Sequence, residues 1–153
     1  MNLKYLLGII FVCLCNSVLL FAEDKKPQKN VGFNFDPSVT PTPRVEEWWF
    51  ARHAEKIGLM SKGEYDLLML GDSITHNFES VGKEVWKKYF EPRKSINLGF
   101  GGDRTNHLLW RIEHLPVLKK APKGAVLLIG TNNICWGSDK PRAAAEGVKV
   151  IAQ

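Results

Sequence analysis

Three short apolar runs, each followed by a glycine-containing loop, recur in the middle of the chain and form its clearest pattern. They are Tyr65–Leu70, Ser95–Leu98 and Ala125–Ile129. Runs of this length bounded by glycine are typical of parallel strands that helices cover on both faces. Because stretches with helical patterning lie between the runs, the order of elements predicts an α/β fold with a parallel sheet and crossover helices.

Amphipathic stretches and their stop signals predict the helices. One helix is expected from about Val45 to Met60, with Trp48, Trp49 and Ile57 on its apolar face. Further helical stretches are predicted over residues 81–90, 103–114 and from 141 onward. Prolines near the boundaries support these limits, because proline suits the first turn of a helix and interrupts its interior.

Each predicted strand ends in a loop whose residues suit acyl transfer. Ser73 follows the first strand in Gly71–Thr75, Gly102 follows the second, and Asn132 follows the third. A hydroxyl, a glycine amide that a ligand can approach closely and a side-chain carboxamide are groups that an ester hydrolase needs. Since ligands bind at the carboxyl ends of parallel strands, the sequence predicts a serine nucleophile at that edge of the sheet.

With these three blocks in this order, the chain resembles the SGNH, or GDSL-type, hydrolase superfamily, and within it the platelet-activating-factor acetylhydrolase-like branch. The matching segments are Trp48–His53, Leu70–Thr75, Asn97–Thr105, Leu109–Arg111 and Gly130–Asn133. The resemblance implies a flavodoxin-like three-layer α/β/α sandwich, of which about three of the five strands are present. It also implies a serine esterase that acts on small acyl esters, with acetyl as the favoured group, without metal or cofactor.

The resemblance further implies a role for each of the three site residues. Ser73 is expected to be the nucleophile. The Ser73 amide, the Gly102 amide and the Asn132 side chain are expected to form the oxyanion hole, which stabilises the charge that develops on the carbonyl oxygen. Glycine suits the second position because a Cβ there would crowd the substrate, and asparagine supplies a neutral N–H donor.

The fourth block of the family pattern, an Asp-x-x-His that supplies the general base, does not occur in this sequence. A serine hydroxyl is a poor nucleophile without such a base. We therefore expect the catalytic His and Asp beyond Gln153, and the chain as given to be inactive. His76 and His107 are the alternatives, since both follow the same sheet edge. His53 and His114 are expected on the surface.

Other interpretations of these motifs remain open at the level of sequence. The glycines of Gly99–Gly102 could form a phosphate loop, although the third glycine of the dinucleotide fingerprint is absent. Asp72 is expected to cap a helix or anchor the turn rather than to act in catalysis. A different class of function is a non-catalytic exported binding domain, or an inactive remnant, that retains the pocket.

The amino terminus has the layout of a secretory signal peptide. An apolar stretch, Tyr5–Phe21, follows Lys4, and Ala22 precedes a charged segment. We predict a signal peptide over residues 1–22, a Pro/Lys-rich linker over 23–44 and the hydrolase domain over 45–153. The expected location is outside the cytoplasm, either secreted or in the cell envelope, and an uncleaved signal anchor is the alternative.

The charge and the cysteine content of the chain limit the classes of binding partner and the covalent links that we expect. The net charge of +5 is not clustered, which argues against nucleic-acid binding. Of the three cysteines only Cys135 lies outside the predicted leader, so no intramolecular disulfide is expected. The predicted partner is a small-molecule acyl ester, with an acetylated carbohydrate as one candidate. Contact with a membrane is expected only through an uncleaved leader.

Overall fold

The computed structural model describes residues 10–11, 36–116, 121–136 and 139–153. Apart from Ile10 and Phe11, the predicted signal peptide lies outside these ranges, as do residues 23–35 of the predicted linker. Across the described part of the chain, no helix is both long enough and apolar enough to cross a bilayer.

Helices and strands alternate along the described residues. They are β1 (Ile10–Phe11), α1 (Glu47–Ser61), β2 (Leu67–Gly71), α2 (Ser73–His76), α3 (Lys83–Val85), β3 (Ser95–Gly99), α4 (Thr105–Glu113), β4 (Gly124–Leu128), α5 (Thr131–Cys135) and α6 (Pro141–Ile151). Single 3₁₀ turns occupy Pro37–Val39, Asn77–Glu79 and Glu91–Arg93, and a π turn occupies Trp86–Phe90.

The three longer strands form a parallel sheet with β2 at its centre. β2 pairs with β3 on one side and with β4 on the other, and Gly71 lies opposite both Gly99 and Leu128. Counted along the chain, these strands stand in the order second, first, third, as in the flavodoxin-like arrangement. The predicted α/β fold with a parallel sheet is confirmed, and it is consistent with an incomplete SGNH fold.

The short strand β1 pairs in parallel with the outer edge of β4, with Ile10 opposite Val126 and Phe11 opposite Leu127. These two residues belong to the predicted signal peptide. Removal of residues 1–22 would therefore leave the outer backbone groups of β4 without this partner, and unpaired strand edges favour association with other chains.

One face of the sheet carries most of the apolar core. Alternate residues of the strands point to the same face, and here they pack against α1, α4 and α6. The buried members of this core are Met60, Tyr65, Leu68, Ile96, Leu98, Leu108, Leu127 and Val148. On the opposite face, Val126 and Leu128 are only half buried. The same face also carries the buried Met69 and Asn97, so each face of the sheet is covered at least in part.

The helical stretch predicted over residues 81–90 is a composite of α3 and the π turn. Its rings pack together, with Trp86 and Phe90 stacked at 5.2 Å and Phe78 at 5.3 Å from Phe90. Pro92 then lies in the following 3₁₀ turn. An apolar pattern at spacings of three to five residues does not distinguish these helical forms, so the sequence could not separate them.

A buried ion pair connects two helices to the sheet. The Asp103 carboxylate accepts hydrogen bonds from Arg111 Nε and from Trp49 Nε1, each at 2.8 Å. Arg111 Nη1 donates to the Leu98 carbonyl at 3.1 Å, and Arg111 Nη2 to the Gly71 carbonyl at 3.5 Å. Burial raises the pKa of the Asp103 carboxyl, and the Arg111 guanidinium opposes that rise.

Arg111→Met is expected to destabilise the protein by about 3–5 kcal/mol, because it leaves the Asp103 carboxylate buried without its closest cation. Urea unfolding followed by circular dichroism measures the loss. The double variant Asp103→Asn with Arg111→Met is the control and should recover part of the stability, since neither charge then remains unpaired. A loss below about 1 kcal/mol in the single variant would contradict this account.

Candidate active site

Ser73 is the first residue of α2 and stands directly after β2. Asp72 caps this helix, because its carboxylate accepts a hydrogen bond from the Ile74 amide at 2.9 Å. This is the capping role expected for Asp72. Ser73 is half buried, and no described residue forms a hydrogen bond with its hydroxyl. The hydroxyl is therefore available at the carboxyl edge of the sheet.

Two glycines allow α2 to sit directly on the strand ends. A Cβ on Gly71 would lie 2.3 Å from Thr75 Oγ1 and 2.6 Å from the Leu128 carbonyl oxygen. A Cβ on Gly99 would lie 2.3 Å from the His76 backbone nitrogen. Real Cβ atoms do not approach other heavy atoms so closely, so these glycines are required for the short distance between α2 and the sheet.

Asn97 attaches the same helix to β3. Its Nδ2 donates to the Thr75 carbonyl at 2.8 Å, and its Oδ1 accepts from the Gly99 amide at 2.8 Å. The side chain is buried. Since a buried carboxamide must have partners, these two bonds explain a polar residue in the middle of an apolar strand.

Gly102 lies in the turn between β3 and α4, with a φ of 79°. This left-handed conformation favours glycine. A Cβ there would also lie 2.7 Å from Arg44 Nη1. No described residue accepts a hydrogen bond from the Gly102 amide, so this donor is free.

Asn132 and Asn133 connect the loop after β4 to the loop after β3. Asn132 Nδ2 donates to the Asp103 carbonyl at 2.9 Å, which uses one of its two N–H groups. Asn133 Oδ1 accepts from the Thr105 amide at 2.9 Å, and its Nδ2 donates to Thr105 Oγ1. The two neighbouring asparagines therefore have different roles. Asn133 holds the loops together, and Asn132 keeps one donor uncommitted.

The three predicted site residues lie at one edge of the sheet. Ser73 follows the central strand, and Gly102 and Asn132 follow the strands on either side of it. Neighbouring strands are about 4.8 Å apart, so the three loops meet. This arrangement brings together a hydroxyl and neutral N–H donors, as acyl transfer requires. Their individual catalytic roles remain predictions.

The two histidines considered as alternative bases have their Nδ1 atoms occupied. His76 Nδ1 accepts from the Gly101 amide at 3.2 Å, and His107 Nδ1 accepts from the Arg104 amide at 3.1 Å. In a neutral ring, a nitrogen that accepts a hydrogen bond leaves the proton on the other nitrogen. The Nε2 atom of each ring is therefore a donor, which is the wrong state for a general base acting through that atom.

The expectation that His53 lies on the surface is wrong. His53 is only 6 % exposed, and its ring stacks on Trp49 at 6.0 Å. Because His53 follows Trp49 by four residues in α1, the two rings share the buried face of the helix. His114 is exposed, as expected, and stacks on Trp110.

The described residues contain no group of three or more His, Cys, Asp or Glu side chains that could hold a metal ion. Cys135, at the end of α5, is an exposed free thiol.

Asp103, which follows Gly102, is fully buried and pairs with Arg111. A buried carboxylate in this turn disfavours its use as a phosphate loop, since the two anions would repel each other.

Comparison with known proteins identifies the family. Residues 69–153, more than half of the chain, match the model of the GDSL-like lipase/acylhydrolase family. The chain belongs to this family. The matched region begins in β2 and includes Ser73, Gly102 and Asn132.

Named relatives of this GDSL-type chain are platelet-activating factor acetylhydrolase subunits. The Drosophila melanogaster IB subunit beta homolog is 36 % identical over 74 % of this chain and 50 % of its own length. The Rattus norvegicus IB subunit alpha1 is 30 % identical over 77 % of this chain. The Homo sapiens IB subunit alpha2 is 31 % identical over 76 %. The chain spans about half the length of the relatives it matches.

The sequence indicated no structural role for three residues of this edge: Arg44, Asn97 and Arg111. Arg111 lies in an amphipathic helix, where an arginine is usually solvated. Asn97 did carry a signal, because a carboxamide inside an apolar run must find a buried partner. Arg44 lies in the segment assigned to the linker, and only the fold brings it to the Gly101 carbonyl, 57 positions along the chain.

His107 is expected to make the protein less stable in acid. Burial, followed by the charges of Arg44 and Arg104, lowers its pKa from 6.5 to about 4. Between about pH 4 and pH 6.5 the unfolded chain therefore binds a proton at His107 more readily than the folded protein does. The contribution of His107 to the free energy of unfolding is fully present above about pH 6.5 and is lost as the pH falls toward 4. Allowing for residual solvent exposure, the loss is roughly 1–3 kcal/mol.

The measurement is urea unfolding at several pH values between 4 and 7 for the natural protein and for His107→Asn. Asparagine can still accept from the Arg104 amide but does not titrate, so the variant should lose less stability across this range. An unchanged pH slope in the variant would show that His107 is not the responsible group. His114→Asn, at an exposed position, is the matched control.

Proposed function

We propose that this chain carries the nucleophile and oxyanion hole of an SGNH-type serine esterase that hydrolyses small acyl esters, with acetyl as the acyl group. The observation that carries the proposal is the meeting of Ser73, Gly102 and Asn132 at one sheet edge in a chain of the GDSL-like family. Acetylated carbohydrates are a candidate substrate class, in keeping with a protein exported by its predicted signal peptide.

In the proposed reaction, Ser73 Oγ attacks the ester carbonyl and its proton passes to a general base. Negative charge then develops on the carbonyl oxygen. The amides of Ser73 and Gly102 and the second N–H of Asn132 are the donors proposed to bind it. Donors that the fold already holds in place stabilise this charge without reorganising during the reaction.

We propose that the general base comes from beyond Gln153. The Nδ1 hydrogen bonds of His76 and His107 argue against either ring as the base. His53 is buried in the aromatic cluster of α1. The chain also spans about half the length of its relatives, which leaves room for the family's Asp-x-x-His in the complete natural protein.

Ser73→Ala in the complete natural protein is expected to abolish hydrolysis of p-nitrophenyl acetate. The thermal midpoint should change little, because no described residue is hydrogen-bonded to the Ser73 hydroxyl. Ser80→Ala is the matched control, since Ser80 is exposed on the segment that follows α2. Activity that survives in Ser73→Ala would remove this residue from the mechanism.

The source of the base is tested by comparing the complete protein with residues 23–153 alone. Hydrolysis close to background by the shorter chain, together with activity of the complete protein, supports the proposal. Turnover by the shorter chain that falls as one histidine is protonated would instead assign the base to His76 or His107. If both are inactive but bind an acetylated sugar, the protein is a binding domain.

Asn132→Ala in the complete protein is expected to lower kcat by about 10²–10³ and to change KM little, since an oxyanion donor acts mainly in the transition state. Steady-state kinetics on p-nitrophenyl acetate separates the two constants. Thr131→Ala, at an exposed neighbouring position, is the control. A rise in KM with kcat retained would mean that Asn132 only positions the substrate.

A further inference from the structure

The turn over Phe100–Asp103 determines where the Gly102 amide points. The Asp103 amide donates to the Phe100 carbonyl at 3.1 Å, which closes a four-residue β-turn. Gly102, the third residue of this turn, has a φ of 79°, whereas φ of Gly101 is not positive. These features define a type II turn.

The central peptide of this turn joins the Gly101 carbonyl to the Gly102 amide. Type I and type II turns differ mainly in which way this central peptide faces. In a trans peptide the carbonyl and the N–H point in opposite directions. Whatever holds the Gly101 carbonyl therefore also aims the Gly102 N–H. Because both residues are glycine, no Cβ prevents the peptide from rotating.

Arg44 holds that carbonyl. Its Nη1 donates to the Gly101 oxygen at 2.7 Å, a short bond with a charged donor. The guanidinium also pairs with Glu46 and lies 5.4 Å from the centre of the Trp48 ring. These contacts leave its side chain only 18 % exposed, so the arginine is itself held in place.

The neighbouring peptide, Phe100–Gly101, is held by a second side chain. The Gly101 amide donates to His76 Nδ1, and the His76 ring stacks on Trp48 at 6.4 Å. Trp48 therefore lies against both side chains that bind Gly101. Since His76 belongs to α2, this arrangement connects the glycine turn to the helix that begins with Ser73.

The segment that carries Arg44 is attached to the sheet edge. The Thr42 amide donates to the Asn106 carbonyl at 3.2 Å, and Thr105 Oγ1 donates to the Ser38 carbonyl at 2.8 Å. Ser38 Oγ also donates to Asp139 at 3.0 Å. Residues 36–44, although assigned to a linker by their composition, thus lie against the first turn of α4 and against Asp139, which precedes α6.

We propose that Arg44 is a positioning residue that keeps the Gly101–Gly102 peptide in its type II orientation and so aims the Gly102 amide toward the attacked carbonyl. This role rests on the proposed function, because the amide stabilises an oxyanion only if Ser73 attacks an ester. Without Arg44 the peptide is free to rotate, and rotation puts the Gly101 oxygen where the donor was.

The kinetic test uses Arg44→Ala and Arg44→Lys in the complete natural protein with p-nitrophenyl acetate. Arg44→Ala is expected to lower kcat by about 10- to 100-fold with little change in KM, since the affected donor acts in the transition state. Arg44→Lys can still donate one bond to Gly101 and should recover part of the loss.

Arg52→Ala is the matched control. Arg52 also donates to a backbone carbonyl of this region, that of Gly99 at 3.0 Å, but not to the central peptide of the turn. Its loss should lower stability while kcat stays near the natural value. An equal loss of kcat in Arg52→Ala, or an unchanged kcat in folded Arg44→Ala, would overturn the proposal. Arg44→Met, which keeps an apolar stem but has no hydrogen-bond donor, carries the same test if Arg44→Ala does not fold.

A second measurement does not depend on catalysis. In a type II turn the Gly101 Hα protons lie close to the Gly102 amide proton, and nuclear Overhauser effects in labelled protein report that distance. This signal should weaken in Arg44→Ala and persist in Arg52→Ala. A signal that persists in Arg44→Ala overturns the proposal. If the natural protein hydrolyses no ester, the proposed function fails, and this measurement still decides what Arg44 does to the turn.

Discussion

The buried pair of Asp103 and Arg111 is the interaction on which the rest of the structure depends. One carboxylate, without exposure to solvent, receives Arg111 from α4 and Trp49 from α1. The same guanidinium reaches the carbonyls of Leu98 and Gly71, at the ends of two strands. Removing either charge alone takes away the closest partner of the other in the interior, since Arg44, the next cation, lies 3.9 Å from Asp103. Two helices and two strands are therefore held in one relative position.

Asp103 also connects the core to the candidate site. Asp103 follows Gly102 directly, and its backbone carbonyl accepts the Asn132 side chain. The Asp103 side chain thus anchors the glycine turn to the core, and its backbone carbonyl orients the Asn132 carboxamide. Arg44 and His76 bind the carbonyl and the amide of Gly101 in the same turn. Donors fixed in this way are the kind that stabilise developing charge in a transition state.

The positions of the histidines and arginines show what the pattern of polar and apolar residues along the chain does not predict. His53 and Arg111 occur in amphipathic stretches, where polar residues normally face water. Both are buried, because His53 joins the aromatic cluster around Trp49 and Arg111 meets a carboxylate. Arg44 occurs in a segment rich in Pro and Thr, a composition that favours a solvated linker. Nothing in its neighbourhood along the chain indicates a contact with Gly101.

The sequence by itself determined the parallel strands, the order of the loops and the placing of Ser73, Gly102 and Asn132 after successive strands. These follow from local periodicity and from glycine, whose conformational preferences act over a few residues. Only the tertiary structure decided which atoms meet, such as Arg44 with the Gly101 carbonyl and Asn132 with the Asp103 carbonyl. Such pairings depend on how strands and loops lie side by side, and residues far apart in sequence become neighbours only when the sheet forms.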